Sequence, residues 1–342
     1  MNLKQKFSVP INPKMDKEFI ENEFIPFLKR NRDNIEDLYF TVRMSPFNQD
    51  AMGTIIEKDE VSTLIANAFI ISNEVGIPLS ATFNNKFISP NYQNFKLFLK
   101  NFSLLYQAGI RIATIPFTSW VLFPELKKEF PELFIKNTVL QKVREPNEVF
   151  KLFESGFDYI NLDRDLMRNQ ERLKEIDEAR KTAEKKLDKK LFLSILFNES
   201  CIGNCPIQEE HFLYNIHNNK ETQSNTFFHS EMNSISCSQW EKQDKVYPLK
   251  QANIIIDEEF LNGLGMIDVF KMHGRESLNV LKNTMYIIDG LREDKKILDN
   301  FEYFKLENKI QQEKYNEWVK FTKNCKFDCW KCNKCEELLE KK

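Results

Sequence analysis

The feature that most constrains this chain is an alternation: short apolar runs rich in β-branched and aromatic residues are separated, repeatedly, by segments of helical period. The runs "IEDLYFTV" (35–42), "IPLSATF" (77–83), "RIATIP" (111–116), "LFIKNTV" (133–139), "DYINLD" (158–163), "LFLSILFN" (191–198), "ANIIID" (252–257) and "DVFKMHG" (268–274) read as strands. Helical patterns fall between them, at about 59–75, 91–108, 118–129, 146–155, 164–188, 206–217, 257–264 and 276–290. Strands that alternate with helices over short connections pair in parallel, because a crossover helix returns the chain to the same end of the sheet. Eight such units predict an α/β fold of the (β/α)8 TIM-barrel type, with a doubly wound sheet as the competing arrangement. A barrel of ~250 residues leaves room for a leading helix at 16–31 and a helical, cysteine-rich C-terminal extension, dividing the chain at 1–300 and 301–342.

Charge narrows the classes of function. Lys and Arg (49) nearly balance Asp and Glu (51), a formal charge of −2, so no general electrostatic grip on nucleic acid or anionic membrane is expected. The start, "MNLKQKFSVPINPKMDKEF", lacks an apolar signal core, and no stretch is long and charge-free enough to span a bilayer. A cytoplasmic protein is therefore expected, where a reducing environment favours thiolate ligands over disulfides. The nine glycines form no phosphate-cradling run. The charged stretch at 164–190 carries one apolar stripe, Leu166, Leu173, Ile176, Ala183 and Leu187, and reads as an outer barrel helix with a solvated face.

All seven cysteines come after residue 200: Cys201, Cys205, Cys237, Cys325, Cys329, Cys332 and Cys335. Core cysteines would scatter as the phenylalanines do here, so grouping points to ligation or redox chemistry. "NESCIGNCPIQEEHF" (198–212) follows the strand run at 191–198, the sixth counted from the sequence. Barrel chemistry sits where strands end, which places Glu199, Cys201 and Cys205 at the mouth. Pro206 suits a first helical position and would set Cys205 beside a helix N-terminus, where thiolate is favoured. Gln208, His211 and Asn215 then share one helical face. His211 reads equally as a functional group and as a hydrogen-bonded structural histidine; His217 and His229 read as structural.

Cys201, Cys205 and Cys237 are one thiolate short of a fully protein-ligated 4Fe-4S cubane, so either a tail cysteine completes it or one iron is open. The tail "CKFDCWKCNKC" has the spacing C-x3-C-x2-C-x2-C, like the dense runs that hold an iron–sulfur cluster. Zinc is the alternative there, although structural zinc more often uses two separated knuckles. One 4Fe-4S centre shared by barrel and tail, or two metal centres, both satisfy the count. The first three tail cysteines also match radical-SAM spacing, but at the chain end rather than beside the first strand.

Across the ring, Lys271, His273 and Arg275 alternate along the last strand run and so share a side. Facing the interior, Lys271 and Arg275 would form a cationic pair for a carboxylate or phosphate, the arginine binding bidentately. The competing reading pairs Arg275 with Asp163 or Glu199, and His273 reads as structural. The chain has no H-E-x-x-H helix and no G-x-S-x-G elbow.

Taken together these residues resemble the collagenase-like peptidase family, TIM-barrel proteins many of which carry a 4Fe-4S cluster. The likeness rests on "N-E-x-C-x-x-x-C-P" at Asn198, Glu199, Cys201, Cys205 and Pro206, followed by His211, Asn215 and Cys237. A strand ending in "F-K-x-x-G-R", at Phe270, Lys271, Gly274 and Arg275, completes it, and "INLDRDLMRN" (160–169) and the cysteine-rich tail look similar too. Gln208 departs from the pattern, which has arginine there. Some members of the family are peptidases; others support oxygen-independent hydroxylation of ubiquinone precursors or of RNA bases. The resemblance implies an iron–sulfur oxidoreductase or hydroxylase, with Glu199, His211, Lys271 and Arg275 as catalytic candidates and Cys201, Cys205 and Cys237 as cluster ligands. Two further readings are a metal-assisted peptidase and a non-catalytic iron–sulfur subunit that supports a partner protein. The sequence names no substrate.

Overall fold

The computed structural model describes residues 4–42, 44, 46–47, 58–86, 88–199, 201–210, 244–252, 258–275, 277–292 and 311–339. Eight parallel strands close a ring in chain order: β1 (Lys6–Pro10), β2 (Ile35–Thr41), β3 (Leu79–Thr82), β4 (Ile112–Ile115), β5 (Phe134–Asn137), β6 (Tyr159–Asn161), β7 (Phe192–Leu196) and β8 (Val269–Lys271). β1 pairs with both β2 and β8, which closes the barrel and rules out the doubly wound sheet. Among the described residues no helix is long and apolar enough to cross a membrane.

Seven of the runs read from the sequence are barrel strands, and the eighth place in the ring belongs elsewhere. It is taken by "KFSVP" at the chain start, a strand of five residues whose end is marked by Pro10, a residue with no N–H to give a ladder. The run at 252–257 has no place in the ring, because β7 pairs directly with β8. Its residues 253–257 lie outside the described residues, and Gln251 just before it forms an isolated bridge with Ile202. The loop after β7, which carries Glu199, Cys201 and Cys205, therefore follows the seventh strand and not the sixth.

Helices cover the outside of the ring. Lys58–Val75, Tyr92–Gln107, Pro146–Glu154, Gln170–Leu187 and Leu278–Arg292 are the long ones. Their starts obey local chemistry: the Asn91 side chain accepts from the Asn94 N–H, and Pro146 opens its helix inside a Glu145/Glu148 capping box. The segment read as one helix at 118–129 is two, Thr118–Val121 and Pro124–Glu129, because Pro124 cannot continue a helix already begun. Leu173, Ile176 and Ala183 are buried as the apolar stripe predicts. The strand ends meet these helices too; Phe83, directly after β3, packs edge-on to Phe98 with ring centroids 4.9 Å apart.

The inward face is unusual. Residues in register share a face of the sheet, so Leu196, Lys271, Ser8 and Asp37 form one inward row and Thr82, Thr114, Lys136 and Tyr159 another. Branched apolar side chains generally fill a TIM barrel. Here Ser8, Asp37, Ser80, Thr82, Thr114, Lys136, Ser194 and Lys271 are all buried there instead.

The tail docks on the loops at one side of the ring. Its helix Gln312–Thr322 leads into Lys323, whose carbonyl accepts from the Gln170 N–H at 2.8 Å, and the Cys325 N–H donates to the Arg168 carbonyl at 2.9 Å. The loop after β7 and the segment 244–252 join the same network: Gly203 N–H donates to Lys250 and Ala252 N–H to Cys201, at 3.1 and 2.8 Å. Gly203 must be glycine, since a Cβ there would lie 2.3 Å from the Phe327 ring.

Candidate active site

Asp37 and Lys136 meet inside the barrel although 99 residues separate them in sequence. The Asp37 carboxylate accepts from Lys136 Nζ on one oxygen and from Ser8 Oγ on the other, and all three side chains are buried. Lys136 Nζ also lies 4.3 Å from the centroid of the Tyr159 ring. This pair is closed on itself, which is the arrangement a buried charge needs.

Lys271 has no such partner. It is buried, its Nζ lies 4.9 Å from the Tyr39 ring centroid, and among the described residues no carboxylate stands within ion-pair distance of it. Burial, then the neighbouring charges of Arg275 and Lys136, push its pKa down to about 7, with Asp37 opposing. Arg275 stands beside it: its guanidinium carbon is 5.3 Å from the same Tyr39 ring, and Nη1 donates to Thr41 Oγ1. Two cations, one switchable and one permanent, thus stand at one aromatic ring near the C-terminal ends of β2 and β8. Nearby, Ser80 Oγ and Thr82 Oγ1 are buried and among the described residues have no hydrogen-bond partner, which leaves the interior further polar capacity.

The other predicted residues take distinct places. Glu199 is buried in an ion pair with Arg164, and its Oε1 is 3.8 Å from His273 Nε2. Asp163 forms an ion pair with Arg144, Oδ2 lying 3.1 Å from Nε, so both carboxylates considered as partners for Arg275 serve other cations. Asn198 ties three elements together: Oδ1 accepts from the His273 N–H at 2.6 Å, and Nδ2 donates to Thr284 Oγ1 at 2.7 Å. Gly274 adopts φ +144°, and a Cβ there would press on Pro10 and Leu281 at 3.0 and 3.1 Å, which explains the glycine between Lys271 and Arg275 in physical terms.

Cys201 and Cys205 are half-buried in the loop after β7. The helix that follows starts at Gln208, with Pro206 in the turn before it, so Pro206 is not its first residue. His211, Asn215, His217, His229 and Cys237 lie outside the described residues. In the tail, Cys335 is buried, Cys325 and Cys332 are half-buried and Cys329 is exposed. Among the described residues no group of three His, Cys, Asp or Glu side chains stands ready as a metal site. The sequence reading found Lys271, Arg275 and the loop cysteines but missed Ser8, Asp37, Tyr39, Lys136 and Tyr159. A usable signal was present: Asp37 and Lys136 are charged residues in the middle of strand runs, where a buried sheet otherwise has none.

Fold and site define a class: a TIM-barrel protein with a polar interior and a cationic mouth. No family profile matches the chain. It is 29% identical over 171 residues to an uncharacterized protease of Methanocaldococcus jannaschii, a match covering 44% of this chain and 45% of that protein. The matched stretch thus spans less than half the length of that relative. Among solved structures, the U32 peptidase Mk0906 superposes with a TM-score of 0.50 at 13% identity, covering 80% of this chain and 94% of that one, a likeness of fold. The two findings bear out the resemblance to the collagenase-like, or U32, peptidase family.

Proposed function

We propose that the protein is a peptidase-type enzyme working at the C-terminal mouth of its barrel, with Lys271 as general base and Arg275 facing the oxyanion. The observation that carries this reading is the burial of Lys271, which among the described residues has no carboxylate within ion-pair distance and whose pKa burial pushes down to about 7. An amine with a pKa of about 7 is half-neutral at working pH, the condition under which a general base is most effective. In the step proposed, the Lys271 amine takes a proton from water as the water oxygen bonds to the peptide carbonyl carbon. The resulting oxyanion meets the Arg275 guanidinium, the C–N bond breaks, and the Lys271 ammonium returns the proton to the leaving amine. Water and peptide give acid and amine, and Lys271 ends as it began. The protease and peptidase names of the similar proteins support the same reading.

The test is hydrolysis of a mixed peptide library by the full chain, read by mass spectrometry, with Lys271→Met alongside. General-base catalysis contributes ~10²- to 10⁴-fold, and the substitution should remove about that much of kcat/KM. A folded wild type that cleaves nothing, or a Lys271→Met variant as active as wild type, contradicts the proposal.

A second reading is favoured by one observation, the two thiols of Cys201 and Cys205 four residues apart in a loop at the mouth. With Cys237 they would supply three ligands of a 4Fe-4S cluster, of which Cys201 and Cys205 are among the described residues. Such a cluster would supply one-electron chemistry, while Lys271 and Arg275 would bind an acidic substrate for oxygen-independent hydroxylation. Exposure to air separates the readings: hydrolysis survives loss of the cluster and redox turnover does not.

A further inference from the structure

Arg168, in the segment after β6, is fully buried. Its Nη1 donates to the carbonyls of Leu249 and Gln251 at 2.8 and 3.1 Å, while among the described residues Nε and Nη2 have no hydrogen-bond partner. Among the described residues no carboxylate pairs with it. A guanidinium cannot relieve this by releasing its proton, so a fold that buries one keeps an anion beside it.

What surrounds Arg168 is the cysteine tail. The Phe327 ring centroid lies 5.0 Å from its guanidinium carbon, the Cys325 N–H donates to its own carbonyl, and Cys335 Sγ approaches at 3.8 Å the same Leu249 carbonyl that Nη1 holds. Two successive left-handed residues, Lys326 and Phe327 (φ 56° and 58°), turn the chain sharply after Cys325, and the Cys332 N–H closes a tight turn onto the Cys329 carbonyl.

We propose that Cys325, Cys329, Cys332 and Cys335 ligate a thiophilic metal centre as four thiolates, with Arg168 as its buried counter-cation. Four thiolates around a divalent ion, or around a doubly charged iron–sulfur cubane, leave a net negative charge, the feature that the Arg168 environment lacks. Among the described residues these thiols do not stand together as a ready metal site, so the proposed binding requires them to move toward one another. The centre would fix the tail against the loop after β7, where Phe327 packs on Gly203 and Asn204 Nδ2 donates to the Lys326 carbonyl at 3.4 Å. That loop carries Cys201 and Cys205, so the tail site would hold the mouth in place whatever chemistry the mouth performs.

The test uses the full chain purified without oxygen, and reconstituted in parallel with zinc sulfate or with ferrous iron and sulfide. Metal content, acid-labile sulfide and the electronic spectrum are measured for wild type, Cys329→Ser, Cys332→Ser and, as a control, Cys201→Ser. The two tail variants should each lose the same equivalent of centre that Cys201→Ser keeps. Zinc without sulfide then assigns a single ion, and iron with sulfide a cluster. Arg168→Met should lose metal to a competing chelator at least ~10-fold more readily than wild type, in line with the effect of removing an outer partner of metal ligands. Equal metal in wild type and Cys329→Ser overturns the proposal. If Arg168→Met fails to fold, alkylation decides: metal-loaded wild type should protect Cys332, and equal labelling with and without chelator refutes the site.

Discussion

Among the described residues, four cationic side chains in the barrel and its loops are buried: Lys136, Arg164, Arg168 and Lys271. Lys136 has Asp37 and Arg164 has Glu199, but Lys271 inside the barrel and Arg168 under the tail have no carboxylate. The two regions meet the same electrostatic problem with different chemistry. A lysine relieves burial by losing its proton and so becomes a base at neutral pH. An arginine stays charged and must be matched by an anion, the part proposed above for metal-bound thiolates of the tail. On the proposals made above, the comparison separates a site for reaction from one that holds the architecture.

The largest expected effect breaks the comparison on the barrel side. Lys271→Met should lower peptide turnover by ~10²- to 10⁴-fold without loss of folding stability, because methionine fills the space and removes a buried charge. Asp37→Asn should be the most destabilising change in the interior. It strips Lys136 of its counter-charge, which costs about 3–5 kcal/mol by urea denaturation, and Asp37→Leu combined with Lys136→Met should recover most of that.

The pH dependence of stability sharpens the contrast. Because the folded-state pKa of Lys271 lies near 7 and the unfolded value is the ordinary one, the unfolded chain binds the extra proton at pH values between them. The lysine's contribution therefore destabilises fully below about pH 7 and fades as pH rises. Between pH 7 and pH 9 wild type should gain on the order of 2 kcal/mol relative to Lys271→Met, measured as the difference in their urea curves. The smallest effect lies at the tail. Phe327→Leu keeps apolar bulk over Gly203 but loses the ring beneath Arg168, and should cost about 1 kcal/mol.

Much of the barrel was legible in the sequence because strands buried on both faces read as apolar runs of characteristic length. "KFSVP" escaped notice since five residues ending in proline carry too little pattern, and "ANIIID" was counted as a strand because an apolar run reads alike whether or not it belongs to a sheet. Lys271 and Arg275 could be found because they alternate within one short run. Asp37 and Lys136 could not be joined, because their contact depends on ring closure across four strands, a property of topology and not of local spacing. The cation under the tail was hidden for the same reason: Arg168 lies in a charged stretch that reads as solvated surface, and only the docked tail reveals it as buried.

The claim on which the account turns is that Lys271 titrates near neutrality. It is tested most directly by following lysine side-chain Nζ and Cε resonances of isotopically labelled protein across pH, with Lys271→Met supplying the assignment. The account predicts one lysine that titrates at about 7 and vanishes from the variant's spectrum. A Lys271 signal that titrates with the exposed lysines would contradict it.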